Sequence, residues 1–245
     1  MDRARPAAPP SLREHALSII RDAIATGELD EERIYSAAGL AKQLGISLSP
    51  VREAMMALVT EGTVEAVPNR GFRLVPITET DLEEIIRIRV LLAVPAVREL
   101  CRQAVEAKGA SAGAGADSDP GTDSEPRAAD GDIGERLRLL RSHAEATVAA
   151  AETGDIVGFY THDRRFHESL LAFGLGPRAA EISLRLRDQS RIGGGAAVTG
   201  TPVETVAVAS AKELIDIVDL IEAGAGDEVA ELVTRNLYFF KRTEG

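Results

Sequence analysis

Two short helical patterns that meet at Gly45, followed at once by two β-rich stretches around a Pro68 to Gly71 turn, constrain this chain more than any other feature. Ser36 precedes Leu40, Ala41 and Leu44, and the pattern stops at Gly45. Ser47 restarts it, with Val51, Ala54, Met55, Leu58 and Val59 at helical spacing. The stretches TVEAV and GFRLVP, joined by PNRG, then read as a hairpin. Upstream, Leu12, Ala16, Ile19, Ile20, Ala23 and Ile24 predict a first helix that Ser11 can cap and Gly27 ends. Three helices plus a two-stranded wing make a winged helix-turn-helix over residues 11–76, preceded by a proline-rich start, residues 1–10, expected to be disordered.

Beyond Pro76 the pattern changes. Thr78 and Asp81 can form a capping pair for a helix running to about Lys108. Residues 109–132 are Ala, Gly, Ser, Asp and Pro with six acidic side chains and almost no apolar bulk, too little to offset the entropy of ordering, so they are expected to form a disordered insertion. Helical periodicity resumes at about 133–152, 155–173, 177–192, 203–223 and 226–242, with glycine punctuation that includes the run at 193–195. The predicted fold class is therefore mostly α, an N-terminal winged helix-turn-helix followed by an all-helical antiparallel bundle over 79–243.

Composition agrees with this division. A chain of 245 residues suits two domains, and a scarcity of aromatics with no Trp favours helices over a sandwich or barrel. The single cysteine, Cys101, has no intramolecular disulfide partner and reads as a packed thiol. No signal peptide and no apolar run long enough to span a bilayer is visible, so the expectation is a cytoplasmic protein without a membrane partner. The net charge of −11 would discourage nucleic acid binding if it were uniform. It is not: residues 1–76 carry nine Lys/Arg against ten Asp/Glu, and the remainder nineteen against twenty-nine. A near-neutral first domain must rely on a few well-placed arginines rather than on bulk charge.

A helix-turn-helix sets its second helix in the major groove, with N-terminal side chains at base edges and small polar groups on phosphates. Ser47 and Ser49 suit those contacts, and Arg52, one turn in, can reach guanine or phosphate. At the wing tip Asn69, Arg70 and Gly71 add a minor-groove reach for Arg70 and a turn that glycine permits. The competing reading of Ser-Pro-x-Arg-Glu is a helix start with a surface ion pair.

With these residues in place, residues 12–75 resemble the GntR family of winged-helix regulators, through LREHALSIIRDAIATGEL and LAKQLGISLSPVREAMMALVTEGTVEAVPNRGFRLVP. The resemblance implies a homodimer on a double-stranded DNA operator, usually repressing nearby genes and answering to a small metabolite. Leu48 departs from the family, which usually carries Arg after the serine, so recognition is expected to lean on Arg52 and Arg70.

Polar residues on the apolar stripes of the second domain define a candidate effector site. Leu82, Ile85, Ile86, Arg89, Leu92, Ala93 and Ala96 share a face, so Arg89 is expected to point inward. Asp163 and His167 interrupt the stripe of Ile156, Phe159, Tyr160 and Leu170 as an i,i+4 pair, and Asn236 interrupts that of Val229, Leu232, Val233, Leu237 and Phe240. Buried without partners these groups would cost several kcal/mol, so they should be satisfied by one another, by water or by a ligand. Arg185, Arg187 and Arg191 have an undecided register, and His143 and His162 fall outside the stripes and are expected to face solvent.

The pieces DLEEIIRIRVLLAVPAV, the run from Asp163 to His167, and LIEAGAGDEVAELVTRNL resemble the FCD subgroup of GntR regulators, whose fatty-acid-responsive relatives share an effector-binding bundle. Many members of that subgroup bind a divalent metal through Asp, His and two later histidines, with an organic acid beside it. Carried over, Asp163 and His167 match the first two ligands, while the later two fall at Leu214 and Asn236, a depleted site for Zn²⁺ or a similar ion. Two readings stand side by side: a weak metal site of Asp163, His167 and Asn236, or a metal-free polar cavity in which Asp163 orients His167. Arg89 either anchors a carboxylate or fatty-acid effector through its planar fork or pairs with Asp163.

The leading expectation is an effector-responsive dimeric repressor on a palindromic operator, in which ligand binding changes the separation of two DNA-reading heads. The alternative is a DNA-binding regulator whose bundle only dimerises or contacts a partner. An enzyme is not expected, because two ligands lack a nucleophile and a third strong ligand.

Overall fold

A computed structural model of the chain describes residues 11–113, 132–190 and 203–239. The N-terminal residues 1–10, residues 114–131 of the insertion and the glycine run at 193–195 lie outside the described residues. The described residues form two compact units, one of 11–78 with 188–190, the other of 79–113, 132–187 and 203–239.

The first unit begins with α1 (Leu12–Ala25), where Ser11 and Glu14 cap each other's backbone N–H groups in a reciprocal box. Gly27, at φ 77°, turns the chain out of that helix. Ser36 accepts a hydrogen bond from Gly39 N–H at the start of α2 (Ala37–Gln43), and Gly45, at φ 67°, makes the turn into α3 (Leu48–Thr60). Ile20, Ile24, Leu40, Val51, Met55, Leu58 and Leu74 fill the space between the three helices and the hairpin. Arg21 of α1 clamps Glu61 at the end of α3 with contacts of 2.8 and 3.0 Å.

Strands β1 (Val64–Val67) and β2 (Gly71–Leu74) pair antiparallel, Val64 opposite Leu74 and Val67 opposite Gly71. Tyr35 exchanges backbone hydrogen bonds with Phe72 at 2.7 and 2.9 Å, so the wing is tied to the chain ahead of α2. Gly71 is the reason this fits: at φ 133° a Cβ there would lie 2.3 Å from the carbonyl oxygen of Tyr35.

The second unit contains α4 (Glu79–Gly113), α5 (Ile133–Thr153), α6 (Ile156–Gly174), α7 (Pro177–Gln189) up to Arg187, α8 (Val203–Ala223) and α9 (Gly226–Leu237). Helix α4 packs against α6, α8 and α9, and α5 against α6 and α8. Asp132 and Asp155 cap α5 and α6, and Gly154, at φ 72°, separates those two helices by a minimal turn. Phe159, Phe166, Leu100, Leu140, Leu170, Ile217, Ile221, Val229 and Val233 form the interior. Cys101 is buried there, its thiol pKa pushed up first by burial and then by the charge of Glu228. Three helix ends differ from expectation: α7 stops at Gln189 rather than 192, α9 stops at Leu237 rather than 242, and α4 is longer than expected. Helix α4 runs past Lys108 to Gly113, because a helix already nucleated on a packed face extends at the small cost of local propensity.

Candidate functional site

Each unit carries one candidate site. In the first, Ser47 is the N-cap of α3, yet its side chain makes no capping hydrogen bond. Ser49 donates to Glu53 at 3.2 Å, an i,i+4 contact on the exposed face. Arg52 is exposed on that face, where Arg13 of α1 lines the same shallow hollow with Ser49, Arg52 and Met56. Leu48 is 40% exposed, an apolar side chain at the start of the helix. At the other end of the surface, Pro68, Asn69 and Arg70 form the exposed hairpin tip, with Asn69 at φ 58° and Arg70 N–H donating to Val67 carbonyl at 3.0 Å.

In the second unit, the spacing of α6 puts Tyr160, Asp163 and His167 on one inward face, Asp163 3% and His167 5% exposed. Helix α7 brings Arg187, 4% exposed, against them. Its Nη2 and Nε donate to Oδ2 of Asp163 at 2.6 and 3.2 Å, and Nη2 also donates to the carbonyl oxygen of Tyr160 at 3.0 Å. The Nε2 atom of His167 lies 3.5 Å from the other carboxylate oxygen, Oδ1. Arg89 of α4 is likewise buried, at 4% exposure, and its charge is felt at His167. Burial drives the His167 pKa below 6.5; the carboxylate of Asp163 pulls the other way, and the cations Arg89 and Arg187 add to the downward push. The imidazole is therefore neutral at pH 7.

Asn236 is buried but makes its contacts on α8: its Nδ2 donates to the carbonyl of Ser210 at 3.0 Å, to Ser210 Oγ at 3.2 Å and to Glu213 Oε2 at 3.0 Å. Glu213 in turn meets Arg235 Nε at 3.2 Å. Among the described residues, no group of three or more His, Cys, Asp or Glu side chains could hold a metal ion. The donor chemistry thus does not fit the Zn²⁺ site of Asp163, His167 and Asn236: Oδ2 of Asp163 is held by a guanidinium, and one remaining carboxylate oxygen, one imidazole and a neutral amide oxygen fall short of a strong ligand set.

Known proteins show the same two-part organisation. Residues 12–74 match the bacterial regulatory proteins of the gntR family, and residues 126–238 match the FCD domain. An HTH-type transcriptional regulator from the ttuE-ttuC' intergenic region of Agrobacterium vitis is 32% identical over 157 residues, 64% of this chain and 77% of that protein. The chain is a GntR-family transcriptional regulator with an FCD domain. The regulator is also 40% identical over 135 residues to the HTH-type transcriptional regulator YdhC of Bacillus subtilis, covering 55% of this chain and 48% of that one. Among solved structures, E. coli McbR/YncC shares the fold with a TM-score of 0.67 at 20% identity over 94% of both chains. A GntR transcriptional regulator from Rhodococcus sp. RHA1 shares it with a TM-score of 0.64 at 19% identity, covering 96% of this chain and 100% of that one. As a GntR/FCD protein it binds DNA and is not an enzyme, and none of its described helices is long and apolar enough to cross a membrane.

Arg89, Asp163 and His167 occupy the inward positions that helical spacing predicts, and Arg52 and Arg70 the exposed ones. Two expectations are corrected. His143 and His162 are half-buried rather than solvent-facing, and burial, followed by the charge of Arg165, lowers the His143 pKa. Arg187 is the group that the sequence leaves undecided, while Arg185 is exposed and paired with Glu181 and Arg191 lies outside the described residues. The signal for Arg187 is its register: Ala180, Ser183, Leu184 and Arg187 follow i, i+3, i+4, i+7 and are all buried. Arg13, beside Arg52 in the hollow on α3, is not singled out by the sequence pattern.

Proposed function

We propose that the regulator is an effector-responsive repressor that binds a palindromic operator as a homodimer and takes a small carboxylate-bearing metabolite as its effector. The observation that carries the effector half is the buried guanidinium of Arg89, whose charge is felt at His167 beside the Asp163–Arg187 pair in the FCD unit. Guanidinium forks pair bidentately with carboxylates, which fixes the orientation of a bound acid. For the DNA half, Ser47, Ser49 and Arg52 on α3 read the major groove, and Asn69, Arg70 and Gly71 on the wing meet the adjacent backbone or minor groove. Arg13 joins Arg52 as a phosphate contact.

A second reading has its own support. Arg187 already meets Oδ2 of Asp163, and Ser210 and Glu213 already meet the amide nitrogen of Asn236, as in a bundle that only dimerises or contacts a partner. Thermal unfolding of the full chain in the presence of short mono- and dicarboxylates and fatty acids separates the two. An effector raises the melting temperature through preferential binding to the folded state and, by linkage, changes operator affinity by roughly 5- to 150-fold. A flat response to every acid supports the second reading.

A further inference from the structure

FCD relatives with a metal place a divalent cation between an aspartate and histidines, so that the aspartate's charge is met by the ion. In this chain that carboxylate is met from inside the protein. Oδ2 of Asp163 accepts two N–H groups of Arg187, whose Nη2 is further fixed by the Tyr160 carbonyl at 3.0 Å. A guanidinium is permanently charged and carries donors but no lone pair, so it neutralises a carboxylate yet cannot share a metal's coordination shell. A divalent ion placed on Asp163 and His167 would also sit in the field of two buried cations, Arg89 and Arg187, which already bear on His167. The two remaining ligand positions offer little in exchange: Leu214 is a fully buried hydrocarbon, and Asn236, whose amide nitrogen is directed at Ser210 and Glu213, has only a neutral amide oxygen where an imidazole would be needed.

We infer that Arg187 supplies the positive charge that a metal supplies in metal-binding relatives, and that the FCD unit of this regulator is built on an internal organic cation and takes no divalent ion at Asp163 and His167. The inference concerns how the site is held together and stands whether or not an effector binds there.

The untagged full-length protein, purified without chelator, is assayed for bound metals by mass spectrometry and titrated with Zn²⁺, Ni²⁺ and Mn²⁺ by calorimetry. The expected result is no stoichiometric metal and no heat that depends on Asp163. One equivalent of metal per chain, lost in both Asp163→Asn and His167→Gln, overturns the inference; metal that survives both substitutions lies elsewhere and leaves it standing. A second arm compares melting of Arg187→Met with that of Asp163→Asn/Arg187→Met, which buries neither charge. The double variant should melt above the single one, or fold where the single one does not. A double variant that melts no higher, or an Arg187→Met protein as stable as the parent, removes Arg187 from the role assigned to it. Should neither variant fold, the metal measurement on the parent protein decides.

Discussion

Nη2 of Arg187 donates to Oδ2 of Asp163 across 2.6 Å, with both side chains 5% exposed. A pair this deeply buried is not evidence of net stabilisation, because two charges have been taken from water to make it. Removing one member is a different matter. Asp163→Ala leaves the guanidinium buried without its carboxylate and should cost about 3–5 kcal/mol in denaturant unfolding. Arg187→Lys retains the charge but gives up the fork that meets Asp163 and Tyr160 together, and should cost less, about 1–3 kcal/mol. Equal losses in the two variants would show that charge alone, and not the planar geometry, matters here.

His167 makes stability depend on pH in a defined direction. Its folded pKa lies below 6.5 through burial and the neighbouring Arg89 and Arg187, against the opposing pull of Asp163. The unfolded chain therefore takes up a proton first as pH falls, and stability should decline from about pH 6.5 downward, by up to about 1.4 kcal/mol per pH unit. Unfolding curves at pH 7.5 and 5.5 should show a larger loss in the parent than in His167→Gln. Parallel behaviour of the two proteins would remove His167 as the cause.

The wing makes a conformational prediction. Gly71→Ala puts a methyl group 2.3 Å from the Tyr35 carbonyl oxygen at a backbone φ of 133°, so either the wing or the segment ahead of α2 must move. A loss of about 1–3 kcal/mol is expected, with weakened DNA binding even though Arg52 and Arg70 are unchanged. Gly109→Ala is the matched control: it lies in α4, a Cβ there meets nothing within 4 Å, and helix propensity should make it neutral or stabilising by up to about 1 kcal/mol.

Local periodicity makes much of this molecule legible. Ser11, Ser36, Gly27 and Gly45 punctuate the first unit where capping and left-handed turns require them, and Arg89, Asp163 and His167 stand inward because 3.6-residue spacing leaves them no other face. What stays hidden is the identity of partners far apart in sequence. Arg187 is 24 residues from Asp163, in a short helix with a second arginine at position 185, so charge pattern alone cannot choose which one turns inward. Asn236 finds Glu213 and Ser210 at separations of 23 and 26 residues, through the packing of α9 on α8, which no single stripe encodes. The tail of α4 is concealed for a different reason: Gly109, Ser111 and Gly113 have loop composition, but the helix behind them is anchored by its buried face.

Operator affinity tests most directly the proposed recognition of DNA by Arg52 of α3, supported by Arg70 on the wing. The upstream region of the regulator's own gene is footprinted, and the protected fragment is titrated by fluorescence anisotropy at fixed salt with the parent, Arg52→Ala and Arg70→Ala proteins. Arg52→Ala should weaken binding by about 1–3 kcal/mol, roughly 5- to 150-fold, and relax the sequence preference at one position of each half-site, while the oligomeric state in solution stays that of the parent. Affinity and sequence preference unchanged in Arg52→Ala would contradict the assignment of α3 as the reading helix.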